Sequence, residues 1–340
     1  MLTLPLAFLI YNTLTICRCL AEAKGDREVA LYMFEQDIRY GYNFTMLEEM
    51  GVNRYIFLEG TVQPDGLFEV PPALTPSYTQ GVAAQIGNNS TLLLAVNIFT
   101  FLDNNGSIAE FQRRAQQVIN EFKFDGLLFV VSDWSRDLQG DEWTKVIEMV
   151  KATRLLNRSR THPVIAPFVF RARNLTTSLW SDLEVHQPWL YADNAYAHLF
   201  SPDVDPKVEI SRDWAVTVSS WYIKASARGC RLSLVVDAVA RMRGSQTIRT
   251  YSDIIAAGGD PRGNGSFGGF YVNTPRQIEY KADLIYSSHL LGMALIWPSA
   301  DLPPTDPRAM LQTMTSHLRP VAAAQSHKVI GVDQEPQLMT

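Results

Sequence analysis

Residues 107–132, SIAEFQRRAQQVINEFKFDGLLFVVS, contain one complete helix–strand unit. Ser107 and Glu110 form a capping box, which is a signature of a helix N-terminus. Apolar residues then recur at helical spacing as far as Phe122. The run Leu127–Val131 that follows has the length and the apolar character of a strand buried on both faces. The segment therefore predicts a helix followed by a buried parallel strand.

Strand-length apolar runs and helical patterns alternate through the rest of the chain. The apolar runs are Val29–Phe34, Tyr55–Leu58, Leu92–Ile98, Leu127–Val131, Val164–Val169, Leu190–Ala197, Leu232–Val236 and Leu291–Trp297. Eight such repeats within residues 24–320 are typical of a (β/α)8 TIM barrel, whereas an open doubly wound sheet has about six strands. No stretch of linker composition divides these residues. We therefore predict one barrel domain, followed by a C-terminal tail at 321–340.

The composition excludes several classes of protein. Hydrophobic residues make up 46% of the 340 residues and charged residues 19%, so the bulk of the chain is not intrinsically disordered. The net charge of −5 argues against nucleic acid as the main partner. Beyond residue 20 there is no run of 18 apolar residues, which excludes a protein that spans the membrane several times.

Residues 1–23 have the features of a secretory signal peptide. The stretch Leu2–Ile16 is apolar apart from a few polar residues, and small residues follow that suit cleavage after Ala21 or Ala23. No Lys or Arg precedes the stretch, which departs from the usual pattern. A membrane anchor, the alternative, needs about 20 uninterrupted apolar residues. We therefore predict a secreted protein without membrane association after cleavage. Cleavage would leave Cys230 as the one remaining cysteine, and we expect it to be buried rather than reactive.

Seven Asn-x-Ser/Thr triplets support export, because about two are expected by chance in a chain of this composition. The predicted N-glycosylation sites are Asn43, Asn88, Asn89, Asn105, Asn157, Asn174 and Asn264. Two of the triplets overlap, so we expect at most one glycan on Asn88 and Asn89 together.

The sequence carries no strong signature of a cofactor or a metal. Residues 263–268 match G-x-G-x-x-G but do not follow a predicted strand, so we interpret them as a glycine-rich loop rather than a dinucleotide site. The six histidines lack the spacing of metal ligands, and neither H-E-x-x-H nor a P-loop occurs. We therefore predict neither a cofactor nor a bound metal.

Residues 124–132 resemble the fourth strand of glycoside hydrolase family 18, the chitinases and chitinase-like lectins. That strand carries the motif D-G-x-D-x-D-x-E, and its first aspartate and glycine are present here. Leu128 and Val130 replace the later aspartates, and Ser132 stands at the position of the catalytic glutamate. A serine hydroxyl cannot protonate a glycosidic oxygen at ordinary pH. The resemblance therefore implies a catalytically inactive barrel.

Other segments resemble the same family in the same order along the chain. Tyr32 stands where the family has a tyrosine on its first strand, and Trp297 where its last strand ends in the tryptophan beneath the bound sugar. Phe200 and Ser201 replace the Tyr-Asp pair that ends the sixth strand, and Arg241 follows the seventh, where the family often has an arginine. The region after that strand is short for the family's α+β insertion, which we expect to be reduced or absent.

Our preferred hypothesis is a secreted, non-catalytic chitinase-like protein that binds glycans containing N-acetylglucosamine, such as chitin, or a protein partner. The expected ligand-binding residues are Trp297, Tyr32, Phe200, Arg241 and Asp133. Further stacking faces for sugar rings are predicted near strand ends, at Phe99, Phe101, Trp134, Phe168 and Phe170.

Two alternatives stay open from the sequence. One is an active glycosidase that uses a displaced carboxylate, above all Asp133, with Glu59, Asp237 and Asp301 as further carboxylates near predicted strand ends. The other is a secreted structural or signalling barrel whose site is vestigial.

Overall fold

The computed structural model describes residues 27–160, 162–227 and 229–319, so the predicted signal peptide and tail lie outside the described residues. The strands, in chain order, are β1 (Glu28–Met33), β2 (Arg54–Val62), β3 (Phe68–Glu69), β4 (Thr91–Asn97), β5 (Gly126–Val130), β6 (Phe168–Arg171), β7 (Ala195–His198), β8 (Leu232–Asp237), β9 (Val239–Met242), β10 (Ile248–Thr250), β11 (Ser266–Phe267), β12 (Phe270–Tyr271) and β13 (Gly292–Ile296). The helices are α1 (Glu35–Tyr40), α2 (Phe44–Glu49), α3 (Pro76–Gln85), α4 (Phe99–Asp103), α5 (Ile108–Phe122), α6 (Glu142–Arg154), α7 (Ser178–His186), α8 (Pro206–Glu209), α9 (Arg212–Ser226), α10 (Tyr251–Ala256), α11 (Pro275–Ser287) and α12 (Met310–Leu318).

The strands β1, β2, β4, β5, β6, β7, β8 and β13 form a closed parallel barrel. They pair in the order β1-β13-β8-β7-β6-β5-β4-β2, and β1 also pairs with β2, where Leu31 lies opposite Tyr55. This last pairing leaves no open edge in the ring. The predicted (β/α)8 barrel is therefore confirmed, and an open doubly wound sheet is excluded.

Apolar side chains pack in two layers, because successive residues of a strand face opposite sides of the sheet. Outward-facing residues such as Leu31, Phe57 and Phe129 pack in the larger core, which includes the helices. The second layer fills the inside of the barrel and consists of Ala30, Tyr32, Ile56, Leu58, Leu93, Ala95, Leu128, Val130, Val169, Tyr196, Phe200, Val235, Ala294 and Ile296. The barrel is thus a packed core rather than a channel.

A buried ion pair closes the amino-terminal end of the barrel. Oε2 of Glu28 on β1 lies 2.7 Å from Nη1 of Arg54 on β2. Ser233 donates a hydrogen bond to Glu28, and Arg54 donates one to the hydroxyl of Tyr196, each at 2.8 Å. These groups therefore satisfy one another's charges and hydrogen bonds at this end of the barrel.

Two strands are shorter than the sequence predicted, and each begins later than expected. The strand expected over 164–169 begins only at Phe168, directly after Pro167, which has no N–H to give to the sheet. Likewise, the run expected over 190–197 contributes β7 only from Ala195. Its beginning belongs to a 3-10 turn, Pro188–Leu190, with proline at the first position.

A small insertion follows β8. Strands β9 to β12 form a four-stranded antiparallel sheet in the order β10-β9-β12-β11, and α10 lies in the same part of the chain. An insertion is therefore present rather than absent. The glycine-rich residues 263–268 lie within it as a loop and a two-residue strand, not as a strand-to-helix turn.

In the described part of the chain, no helix is long and apolar enough to cross a membrane. Cys230 is buried, as predicted, but it is disulfide-bonded rather than isolated. The other cysteines of the chain, Cys17 and Cys19, lie outside the described residues.

Candidate functional site

A pocket of about 210 Å³ opens at the carboxyl end of the barrel, where (β/α)8 proteins place their functional residues. It is lined by Tyr32, Phe34, Leu58, Glu59, Asn97, Val130, Ser132, Asp133, Trp134, Ser135, Val169, Arg171, His198, Phe200, Ile296 and Trp297. Most of the residues predicted from the resemblance are therefore gathered in one place.

Strand β5 presents an apolar face to this pocket. Leu128 and Val130 lie in the packed interior of the barrel, at the positions where the family motif has carboxylates. Ser132 is buried, and its hydroxyl donates a hydrogen bond to Asp137, which also accepts one from Nε of Arg173 at 3.2 Å. Leu128, Val130 and Ser132 thus bring no carboxyl group to the pocket.

Asp133, the displaced carboxylate, lies at the rim of the pocket and is held by its own turn. Its Oδ1 accepts hydrogen bonds from the backbone N–H groups of Ser135 and Arg136, at 2.6 and 2.9 Å. The hydroxyl of Ser135 donates a third at 2.8 Å. The carboxylate thus fixes the conformation of the loop after β5.

Aromatic rings form one wall of the pocket. Trp297 directly follows β13 with a left-handed backbone, at φ 55°. Its ring stacks on Phe34 with 5.1 Å between ring centres and lies 6.0 Å from Phe200. Trp134 is half exposed, with its ring 5.9 Å from Phe200. Such a wall offers flat apolar faces on which a sugar ring can stack.

Four of the predicted stacking faces are wrong. Phe99, Phe101, Phe168 and Phe170 all pack in the core between barrel and helices. Strand alternation directs Phe168 and Phe170 outward, whereas the next residue, Arg171, faces the pocket.

Three buried polar side chains reach the pocket without a hydrogen-bond partner on the described chain. The unpartnered atoms are the hydroxyl of Tyr32, both ring nitrogens of His198, and Nε and Nη1 of Arg171. Burial, reinforced by Arg171 and Arg241, lowers the pKa of His198 well below its usual range, so the ring is neutral. Because buried polar atoms are nearly always hydrogen-bonded, these groups are available to a ligand in the pocket.

Glu59 is the second acidic side chain of the pocket. It is exposed to the opening but enclosed by protein on its other sides, and this burial raises its pKa. Asn97 donates a hydrogen bond to its Oε1 at 3.5 Å. Arg171 works against the rise in pKa, and Asp133 adds to it. Glu59 thus holds a proton more readily than an ordinary surface glutamate.

Arg241 does not line the pocket but supports Phe200 from behind. Its guanidinium forms an ion pair with Asp237, and a second one with Glu209 at 3.3 Å. Cζ of Arg241 lies 4.4 Å from the ring centre of Phe200. Glu209 also accepts a hydrogen bond from the backbone N–H of Ser201 at 2.5 Å. Arg241 and Ser201 therefore support the aromatic wall, and both line a neighbouring pocket of about 720 Å³ that also includes Trp134.

Arg241 pairs with two carboxyl groups, Asp237 and Glu209. We therefore expect the protonation of Glu209 to depend on pH. Burial and the neighbouring Asp237 raise the pKa of Glu209 to about 8, although Arg241 works to lower it. A carboxyl whose pKa is raised in the folded state contributes stability when protonated. That contribution is complete below its ordinary value of 4.5 and is lost as the pH rises towards 8.

We expect the free energy of unfolding of the wild type to fall, relative to Glu209→Gln, by at least about 1.4 kcal/mol between pH 5 and pH 8, the equivalent of one pKa unit. Urea denaturation at several pH values measures it. Glu184→Gln, at an exposed position on α7, is the control and should follow the wild type. A wild-type to Glu209→Gln difference that stays constant with pH would contradict the raised pKa.

All seven predicted glycosylation asparagines are exposed, so each is sterically accessible, and their modification stays a prediction. Among the described residues there is no group of three or more His, Cys, Asp or Glu side chains arranged to hold a metal ion.

The solved structures most relevant to this barrel are chitinases. The family 18 chitinase ChiB of Flavobacterium johnsoniae matches with a TM-score of 0.66 and 15% identity, over 86% of this chain and 94% of that one. A chitinase of Bacteroides thetaiotaomicron matches with a TM-score of 0.66 and 12% identity, over 89% and 100%. The family 18 chitinase of Cycas revoluta, in complex with allosamidin, matches with a TM-score of 0.63 and 10% identity, over 85% and 98%.

No family model matches the sequence, and no curated protein sequence matches it. The structure is thus a (β/α)8 barrel whose fold is similar to that of chitinases. More specifically, its neighbours are glycoside hydrolase family 18 chitinases, so the resemblance inferred from residues 124–132 is confirmed at the level of the fold.

Phe34, Asn97 and the inward direction of Arg171 were not predicted from the sequence. Strand alternation was the signal that could have found two of them, because Phe34 lies two residues after Tyr32 and Arg171 two residues after Val169. Asn97 ends β4, and its bond to Glu59 depends on the register between β2 and β4, which the sequence does not encode locally.

Proposed function

We propose that this protein is a secreted, non-catalytic chitinase-like barrel that binds glycans containing N-acetylglucosamine. The observation that carries the proposal is the combination found in one pocket: an aromatic wall at Trp297 beside buried, unpartnered polar groups of Tyr32 and His198. Sugars present both apolar ring faces and hydroxyl groups, so they match such a surface.

The proposed lack of catalysis follows from the chemistry of β5. Glycoside hydrolysis needs a carboxylic acid that protonates the leaving oxygen. Leu128, Val130 and Ser132 offer no such group, and Ser132 is bound to Asp137. Losing a general acid alone costs about 10²–10⁴ in rate.

The solved neighbours support a glycan as the ligand. Structures of the Cycas revoluta chitinase contain allosamidin and, in a mutant, three linked N-acetylglucosamine units. Because this barrel has a similar fold and its pocket has an aromatic wall, we choose chitin-type oligosaccharides as the first test ligands.

We expect Trp297→Ala to weaken binding of a chitin hexasaccharide about 30-fold or more, because a central aromatic contact commonly contributes 2 kcal/mol or more to affinity. Isothermal titration calorimetry with the secreted protein measures it. Trp297→Phe should keep most of the affinity, and Tyr280→Ala on α11, outside the pocket, should bind as the wild type does. Unchanged binding by Trp297→Ala would exclude the aromatic wall as the site.

A second candidate function, an active glycosidase, is favoured by the raised pKa of Glu59 beside Asp133 in the same pocket. Heat that continues after each injection of hexasaccharide would indicate turnover. Glu59→Gln and Asp133→Asn would then show which carboxylate is the acid. Absence of any heat would instead favour a protein partner.

Secretion is tested by sequencing the N-terminus of the exported protein. The chain has three cysteines, so a disulfide of Cys230 within the chain and cleavage after Ala21 or Ala23, which would remove Cys17 and Cys19, exclude each other. A mature chain that begins before Cys17 would overturn the proposed cleavage site. Loss of mass on enzymatic deglycosylation would test the seven glycosylation sites.

A further inference from the structure

Arg171 is a buried cation in the pocket that has no ionic partner among the described residues. Its side chain is 9% exposed, and its Nε and Nη1 atoms have no hydrogen-bond partner on the described chain. Burial, together with Arg241 and Arg173, lowers its pKa to about 10, so the guanidinium is charged at neutral pH. Because an unpaired buried charge is unfavourable, a ligand is the natural source of the missing partner.

The two neighbouring arginines differ from Arg171 in this respect. Arg173 lies 3.2 Å from Asp137, and Arg241 forms an ion pair with Asp237. Each of these cations is therefore neutralised by a carboxylate of the protein itself, and Arg171 is the one left open toward the pocket.

The acidic side chains of the pocket are engaged elsewhere. Glu59 accepts a hydrogen bond from Asn97, and Asp133 accepts three from its own turn. Both act on Arg171 only through space, where they raise its pKa. Burial raises the pKa of Glu59, which reduces the negative charge that it presents to an incoming anion.

Aromatic rings hold the guanidinium of Arg171 in place. Its Cζ lies 4.2 Å from the ring centre of Trp134 and 5.1 Å from that of Phe200. Stacking of this kind uses the face of the guanidinium and leaves the N–H groups on its edge for a bidentate contact. Phe200 lies 6.0 Å from Trp297, so a short oligosaccharide can reach both Trp297 and Arg171.

We propose that the pocket selects an acidic glycan, in which an anionic group on the sugar, a carboxylate or a sulfate ester, pairs with Arg171. The inference rests on the proposed function, because it assumes that the pocket binds a glycan, and it specifies the class of that glycan. Arginine suits this role because its planar donors match both groups in two parallel hydrogen bonds. Examples are chains in which N-acetylglucosamine alternates with a uronic acid, and sulfated chitin.

The test compares four tetrasaccharides by calorimetry on the wild-type protein. They are alternating glucuronic acid and N-acetylglucosamine, the same compound with its carboxyl groups reduced, chitin tetrasaccharide, and that chitin sulfated at its 6-hydroxyls. At least one acidic compound should bind about 30-fold more tightly than its neutral counterpart, because a desolvated charge pair of this kind is worth at least that factor. If only one acidic compound binds more tightly than its neutral counterpart, its anionic group is the one that pairs with Arg171.

Arg171→Gln should abolish this advantage, so that each acidic compound and its neutral counterpart bind the variant with similar affinity. Arg171→Lys, which keeps the charge but not the planar donors, should retain part of it. Arg212→Gln, an exposed arginine at the start of α9, controls for the net charge.

Equal binding of each acidic compound and its neutral counterpart would overturn the inference while leaving the proposed function standing. Absence of binding by all four compounds would overturn both. The comparison of ligands uses the wild type alone, so it holds even where a variant of Arg171 does not fold.

Discussion

Glu28→Ala is expected to lower the free energy of unfolding by about 3–5 kcal/mol, because removing one partner of a buried ion pair leaves the other charge uncompensated. Glu28 is buried at the closed end of the barrel, where it binds Arg54 at 2.7 Å and accepts a hydrogen bond from Ser233 at 2.8 Å. Arg54 keeps a hydrogen bond to Tyr196 but loses its carboxylate. Urea denaturation followed by circular dichroism measures the loss.

The matched control is Glu35→Ala. Glu35 forms an ion pair with Arg39 one turn further along α1, and both side chains are exposed. An exposed pair of this kind contributes about 0.3–0.5 kcal/mol. Similar losses for the two variants would show that the closed end of the barrel does not depend on its ion pair.

Gly126→Ala is expected to lower the free energy of unfolding by about 3 kcal/mol or more. A Cβ added at Gly126 would lie 1.9 Å from the backbone oxygen of Ile165, in the neighbouring segment. Overpacking against side chains costs about 1–3 kcal/mol, and a backbone atom can yield less than a side chain. Gly126 is therefore required because two segments of the backbone approach each other closely at this position.

Gly81→Ala provides the opposite control. Gly81 lies within α3, and an added Cβ would have nothing within 4 Å. Alanine is favoured over glycine inside a helix by about 0.8–1.0 kcal/mol, so this variant should be more stable than the wild type. Thermal denaturation of both variants distinguishes a general intolerance of glycine replacement from a clash at Gly126.

The fold was predictable because barrel strands are buried on both faces and therefore appear as uninterrupted apolar runs. The capped start of α5 at Ser107 was predictable for a local reason as well, since the side chain of Ser107 accepts from the N–H of Glu110. The predicted starts of β6 and β7 were wrong. β6 begins directly after Pro167, and a 3-10 turn that starts at Pro188 precedes β7. Sequence pattern thus predicted the elements, and local backbone chemistry fixed their ends.

The site was predictable only in part. The resemblance placed Trp297, Phe200 and Ser132 in one pocket, as the structure has them. It could not supply side-chain direction at the strand ends, so Phe170 was expected at the site and Arg171 received no role. Arg171 is unpartnered among the described residues because the nearby carboxylates pair with Arg173 and Arg241 instead. These pairings depend on tertiary contacts, which the local sequence does not show.

Trp297 occupies a backbone conformation that suits glycine, at φ 55°. An L-residue held there costs roughly 1–2 kcal/mol of conformational energy. Glycine would relieve this backbone strain but would remove the ring that packs against Phe34. The sugar-stacking role that we propose for the indole would account for a strained backbone at this position.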